Sequence, residues 1–481
     1  MSCQKKNLSF FCPFFFARET VLLFWGRIKM FKRCRRGELQ LEEMPTVIVH
    51  HVAGFAADTL WAVLDLKRVC WMFRRCMSMP GALAHLSLIN LKPEEVDALG
   101  AMAKGVRGLS STSLDRLPDM RSLRRLELAK CDAPSDLFKG LSVLKHLDIL
   151  NLSFCRQVAE LRVLPPTLRV FTAFRCTKLQ ILPDEMPKLE AIHVAECKWL
   201  RVLPKLPSIL RVNFSGFAVL NSSVRALKHL RTEYMSSEEL VHLTQLETLR
   251  LSNCTFSHAD FLEGLANLQF LTIAFWVHTG PHDLASLASV RGLRDVQLEN
   301  NITDQDLGHL AHLPHLTSLS VLSHLVTDAG VRSLARNTAL TLLSLNNEDC
   351  DGVTSAGLCA LKHLRGLCLT DCDGVEDIGF IKVQHLAVYG CHGIYNLEAM
   401  EVADLEVENC NSITTLAPIN SITQLKTLRV VGCENLSLEG LLDLEPRGSV
   451  TLCHHARTLL DPETVQRWQS ATSELIFEAV E

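Results

Sequence analysis

LRGLCLTDC (Leu364–Cys372), VQHLAVYGC (Val383–Cys391), VADLEVENC (Val402–Cys410) and LKTLRVVGC (Leu425–Cys433) follow one another in the last third of the chain. Each has an apolar residue at positions 1, 4 and 6 and a cysteine at position 9. The frame runs back through LETLRLSNC (Leu246–Cys254), LEAIHVAEC (Leu189–Cys197), LDILNLSFC (Leu147–Cys155) and LRRLELAKC (Leu123–Cys131). Degenerate copies such as LQFLTIAFW, LRDVQLENN, LTSLSVLSH and LTLLSLNNE fill the gaps. From Leu83 to a weak last copy near Arg447 there are 18 units, at a mean step of about 21 residues. Such a period means one structural unit per repeat, stacked on its neighbours.

The frame carries its own physics. Side chains alternate along a strand, so positions 4 and 6 point to one face and position 5 to the other. A single strand this short buries too little apolar surface to fold, whereas stacked copies share one continuous core. After the strand the chain turns inward, and its amide and carbonyl groups then need partners. A small Cys or Asn at position 9 fits beneath that turn. Cysteine stands there in nine units, at Cys131, Cys155, Cys176, Cys197, Cys254, Cys372, Cys391, Cys410 and Cys433, and Asn301 in another. Half of the 18 cysteines are thereby assigned to a structural ladder of buried thiols.

This pattern resembles that of leucine-rich repeat proteins over about three quarters of the chain, closest to the cysteine-containing repeats of F-box/leucine-rich repeat proteins. The resemblance implies an α/β solenoid: a curved parallel β-sheet on the concave face, with short helices and irregular links on the convex face. Ladder cysteines have parallel rather than facing Cβ vectors, so free thiols and a reducing, cytoplasmic or nuclear setting are expected. SEELVHLTQ, DAGVRSLARN and SAGLCALKH have the apolar spacing of short helices. The proline-bearing links between residues 160 and 210 do not. Asn213 and Thr232 fall at core positions when frames start at Leu210 and Leu227, which predicts a kink or register break between residues 210 and 245.

Composition removes several other classes. The chain has 481 residues, 49 Lys+Arg against 53 Asp+Glu and a formal charge of −4, so binding led by phosphate contacts is not expected. At 48% hydrophobic and 21% charged it is too apolar to be disordered throughout. No two cysteines have Cys-Xaa-Xaa-Cys spacing, which argues against zinc-ribbon and thioredoxin-type sites.

The ends differ from the middle. Residues 1–39 form an atypical extension in which LSFFCPFFFA follows Lys5 and Lys6; it is too short and too charged for a membrane span. Met30 is the expected start, with a signal or anchor and a disordered tail as the other readings. Residues 40–80 read as small amphipathic helices. Their Met44-Pro45, the apolar Ile48, Val52 and Phe55, and then Val69-Cys70 with Phe73 resemble an F-box in its adaptor-binding positions. Met stands for the usual Leu, Phe for the usual Trp, and the first helix lacks the usual acidic residue. Two readings stand for this segment, an F-box or an N-terminal cap on the first repeat. The repeats proper are assigned to 81–455, and 456–481 to a C-terminal capping helix with Asp461 as N-cap and Pro462 in its first turn.

Neither a Gly-rich phosphate loop nor HExxH nor GxSxG is present, and neither catalysis nor a cofactor is expected. His309, His312 and His315 straddle a helix end and Pro314, and read as surface or packing residues; the pairs His50-His51 and His454-His455 have diverging side chains, and Asn347, Glu348, Asp349 and Asp351 read as a solvated loop. Partner binding is assigned to the strand face. Aromatic and charged residues expected to point outward there are Phe154, Phe174, Arg175, Arg250, Phe275, Tyr389, Glu406 and Arg429. The F-box resemblance implies a non-catalytic substrate receptor, docking a Skp-type adaptor and cullin through 40–80 and a protein through the concave face, monomeric outside its complex. A stand-alone scaffold and a secreted or surface receptor are the alternatives.

Overall fold

The computed structural model describes Ser87–Leu88 and residues 106–478, apart from short interruptions at 113, 115–119, 132–134, 216–219, 221–223, 234, 236, 255, 257, 276–283, 348–351 and 399. The extension 1–39 and the F-box-like positions Met44, Pro45, Ile48, Val52, Phe55, Val69, Cys70 and Phe73 lie outside the described residues, as do Glu348, Asp349 and Asp351. The chain divides into two units, Met1–Pro183 and Asp184–Glu481.

In the first unit the strands are β1 (Ser87–Leu88), β2 (Gly108–Ser110), β3 (Arg125–Glu127), β4 (Ile149–Asn151) and β5 (Val170–Thr172). Each is parallel to the next, in the order of the chain.

The second unit continues with β6 (Ala191–Val194), β7 (Arg211–Phe214), β8 (His229–Glu233), β9 (Thr248–Cys254), β10 (Phe270–Phe275), β11 (Asp295–Glu299) and β12 (Ser318–Leu322). Then come β13 (Leu342–Asn346), β14 (Gly366–Thr370), β15 (His385–Tyr389), β16 (Asp404–Glu408), β17 (Thr427–Val431), β18 (Ser449–Cys453) and β19 (Glu474–Glu478). These too pair parallel, each with its sequence neighbours. Parallel pairing with one strand per repeat is what a repeated strand–turn–return unit dictates, because every strand begins at the same point of the period.

The alternation is as the frame requires. In β12, β13, β15 and β16 the second and fourth residues are buried and the third is partly exposed. Short helices on the opposite side supply the rest of the core. Asp304–Leu310, Asp328–Leu334 and Ser355–Leu358 are capped by Thr303, Thr327 and Thr354, each in an extended conformation. Asp304 accepts hydrogen bonds from Thr327 N (2.8 Å) and Oγ1 (2.6 Å), and Asp328 does the same for Thr354, both at 2.8 Å. A carboxylate in the first turn of one helix thereby orients the cap of the next.

At position 9, Cys131, Cys155, Cys176, Cys197, Cys372, Cys391, Cys410 and Cys433 are buried and not joined in disulfides. Cys254 contributes its backbone to β9; its side chain lies outside the described residues. Four of these thiols reach back one repeat to the carbonyl at position 6, Cys155 to Leu128 (2.8 Å), Cys176 to Leu152 (3.0 Å), Cys410 to Val388 (3.7 Å) and Cys372 to Leu345 (3.8 Å).

Just before the cysteine the backbone enters the left-handed region. Position 8 has φ between 50° and 70° at Lys130, Phe154, Arg175, Glu196, Asn253, Asn300, Asp371, Gly390, Asn409 and Gly432. At Gly432 a side chain would also collide with the Asn409 amide oxygen, the position-8 group of the previous repeat. Gly308, inside the helix Asp304–Leu310, has nothing within 4 Å of where a Cβ would sit. Gly432→Ala should therefore lower stability by about 1–3 kcal/mol, while Gly308→Ala should raise it by roughly 0.5–1 kcal/mol. Denaturation midpoints moving in the same direction for both would contradict this assignment.

Four expectations need correction. The repeat written from Leu210 starts at Ile209: Val212 and Phe214 are buried, and Asn213 lies on the strand face opposite His193 and Arg231. Thr232 is in the core, 1% exposed, yet the paired residues of β6 to β9 stay in register, so among the described residues no register break falls between 210 and 245. The register shifts instead between Ile273 and Phe275, where β10 meets β9. That shift pairs Phe275 with Cys254, so Phe275 is buried (2% exposed) rather than outward. Its ring packs edge-on against Phe256, which packs in turn against Phe261.

The C-terminal segment also departs from a simple capping helix. Asp461 accepts a hydrogen bond from Thr464 N and opens the helix Pro462–Ala471, with Trp468 buried beneath it. Leu475 and Ile476, expected in the helix, lie instead in β19, a further strand parallel to β18.

Candidate functional site

The partly exposed face of the second unit's sheet is built mainly from position 5 of each repeat. Registers align His193, Asn213, Arg231 and Arg250 on β6 to β9. After Thr272 and Gln297 come four small side chains in successive strands, Ser320, Ser344, Cys368 and Ala387. Glu406 and Arg429 follow on β16 and β17. The row thus runs from a basic end through a small-residue middle to a strongly charged end.

The basic end is partly shielded. Burial, and then the charge of Arg231, hold His193 below the ordinary histidine value. Burial, opposed by Arg250, pushes the Asp295 carboxyl up.

At the other end Arg429 meets three carboxylates. Its Nη1 donates to Glu406 Oε1 (2.7 Å) and Glu408 Oε2 (2.6 Å), while Nη2 and Nε donate to Glu478 Oε2 (3.1 and 3.2 Å). Glu406 and Glu408 lie two residues apart on β16 and so share a face; Glu478 arrives on β19. Tyr389, two residues beyond Ala387 on β15, is hydrogen-bonded to Glu406; burial first, and that bond second, push its phenol up. Beside this group His385 Nδ1 lies 2.7 Å from Asp404 Oδ2. The middle of the row is hollow. A groove of about 410 Å³ lies over β12 to β17, lined by residues including Leu342, Gly366, Cys368, Ala387, Glu406 and Arg429.

Tyr389, Glu406 and Arg429, chosen from the sequence, are therefore in one network. Arg250 shares the row of Glu406 and Arg429 but stands on β9, seven strands from β16. Phe275 is in the core. The remaining three form a separate cluster in the first unit: the Phe154 and Phe174 rings meet edge-on at 5.4 Å between centroids, and the Arg175 guanidinium lies 5.2 Å from the Phe174 centroid. Lys130 also stands over Phe154, at 5.9 Å. Phe154 and Arg175 are both position-8 residues, so the left-handed turn aims them off the end of the strands.

Sequence reading missed Glu408 and Glu478. The period of two along a strand would have placed Glu408 beside Glu406. Glu478 carried no such signal, because ELIFE was assigned to a helix. Among the described residues no cluster of three or more His, Cys, Asp or Glu side chains could hold a metal ion. His309 is partly buried, while His312 and His315 are exposed. No helix among the described residues is long and apolar enough to cross a membrane.

A stack of parallel strands with one L-x-x-L-x-L frame per strand is a leucine-rich repeat fold. No family model matches the chain. A stretch of 165 residues is 26% identical to a probable disease resistance protein of Arabidopsis thaliana, covering 30% of this chain and 10% of that protein, so the chain spans about a tenth of its curated relative. Among solved structures, an internalin of Listeria monocytogenes aligns with a TM-score of 0.38 and 16% identity, over 78% of this chain and 94% of that one.

Proposed function

We propose that this chain is a non-catalytic protein-binding module whose contact surface is the strand face of the second unit, and that it serves as a substrate receptor of a cullin-RING ubiquitin ligase. The observation that carries the binding reading is the arrangement of that face: a shallow groove of small side chains between a basic end and an Arg429-centred carboxylate cluster. Core positions of the repeats are apolar, so this face is where the sequence is free to vary charge and size. A surface of this kind recognises by shape and charge. Ubiquitin transfer in such an assembly belongs to other subunits, and this chain contributes proximity.

Support for the receptor reading comes from the F-box-like order Met44-Pro45, Val52, Phe55, Val69-Cys70, Phe73 directly upstream of cysteine-containing repeats. Co-purification with a Skp-type adaptor and cullin tests it. The wild-type chain should retain both, and Pro45→Ala/Phe73→Ala should lose more than 90% of the adaptor, since hot-spot residues dominate such contacts. A wild-type pull-down without adaptor ends the ligase role and leaves a stand-alone scaffold.

A further inference from the structure

The groove over β12 to β17 has a composition that selects its occupant. Its floor is made of Ser320, Ser344, Cys368 and Ala387, short side chains in four consecutive strands. Leu342 stands 49% exposed on the flank, next to Gly366, whose missing side chain leaves room for the Leu342 methyl groups: a Cβ there would lie 2.8 Å from Leu342 Cδ2. That flank of the groove is therefore apolar. One end is closed by the Arg429 cluster, whose one cation and three carboxylates (Glu406, Glu408, Glu478) sum to −2. Arg429 is turned inward to those carboxylates through Nε, Nη1 and Nη2. It has little left to offer an anion, and the net field at this end attracts a cation.

Dimensions set the length of the guest. Six strands at ~4.8 Å give a length of about 24 Å, which an extended chain covers in roughly seven residues. The backbone groups of β12 to β17 are already paired with one another. The guest is then read through its side chains and not by strand addition.

We infer that this groove receives an extended segment of a partner protein, small and apolar along β12 to β15 and ending in a lysine or arginine that docks against the carboxylates around Arg429. The inference rests on the protein-binding reading above and narrows it to one place and one chemistry. The segment crosses the strands, with its cationic end toward β16 and β17. Asp404, beside His385, adds a further carboxylate on that side.

A linear, randomised 12-residue peptide library displayed on phage tests this with the full chain as bait. Peptides enriched on the wild type should carry two or more small apolar residues followed by Lys or Arg. A synthetic peptide of the enriched sequence should bind at least tenfold more weakly to Ala387→Trp, which fills the floor, and to Glu406→Gln/Glu408→Gln, which removes the charge. Ser344→Trp fills the groove from another strand and replaces Ala387→Trp if that variant fails to fold, as judged by circular dichroism. Enriched peptides lacking a cation, binding to the filled variants with unchanged affinity, or no enrichment at all overturns the inference. Peptides lost on Arg231→Glu/Arg250→Glu but kept by both filled variants overturn it while leaving the strand face as the protein-binding surface.

Discussion

Alkylation of the native chain with iodoacetamide at pH 8 will modify Cys359 readily and leave Cys410 and Cys433 unmodified on the same timescale. The difference comes from two effects that multiply. Cys359 is exposed, whereas Cys410 and Cys433 are buried. Burial also pushes the thiols of Cys410 and Cys433 from 9.0 up to about 12. The thiolate is the reactive form. At pH 8 its fraction falls from about 0.1 to about 10⁻⁴, a factor of roughly 10³ before access is considered. In denaturant all three should react at comparable rates. Labelling of native Cys410 as fast as denatured Cys410 would mean that the ladder of thiols is not formed.

The same shift has a thermodynamic sign. Where folding raises a thiol's pKa, the folded chain keeps a proton that the unfolded chain releases. The contribution to stability is full below about pH 9 and is lost as pH rises toward 12. Cys391, held up by its hydrogen bond to Cys372 and by burial, acts in the same direction. Denaturation midpoints should therefore fall steadily through this alkaline window, and replacing Cys410 by Ser should flatten the fall.

What the sequence could say about this molecule follows from where its information is periodic. Positions 4, 6 and 9 repeat, so the sheet, its parallel sense, the inward leucines and the thiol column were all legible. Positions 5 and 7 alternate with positions 4 and 6, which is why Tyr389, Glu406 and Arg429 could be placed on one face before their contacts were known. The failures sit where the period slips. Phe275 looked outward by counting, but the shift at Ile273/Phe275 moved it into a buried place. Asn213 looked buried because its frame was started one residue late. Glu478 belongs to a strand with no frame of its own, recruited by the open edge of β18, and edges recruit strands whatever their sequence period. The left-handed turn at position 8 was readable only in part: Asn253, Asn300, Asp371, Gly390, Asn409 and Gly432 are residues that tolerate it, but Lys130, Phe154, Arg175 and Glu196 are not.

Leu369→Ala is expected to destabilise the chain by about 4–5 kcal/mol and Leu251→Ala by about 2–4 kcal/mol, while Arg250→Ala, one residue away from Leu251, stays within about 0.5 kcal/mol. Both leucines are at position 6 and at most 1% exposed. Leu369 lies between Leu345 and Val388 in the stack, apolar on both sides, so its removal leaves a cavity that rigid strands on either side cannot close. Leu251 lies between Thr232 and Ile273, and the strand beyond it carries the register shift, so the backbone has more room to relax. Because each repeat touches only its neighbours, the loss should be concentrated locally: hydrogen exchange should accelerate most in β13 to β15 for Leu369→Ala and in β8 to β10 for Leu251→Ala. Equal losses at Arg250 and Leu251 would place position 5 in the core, and the face on which the groove and the Arg429 cluster lie would then not be a surface at all.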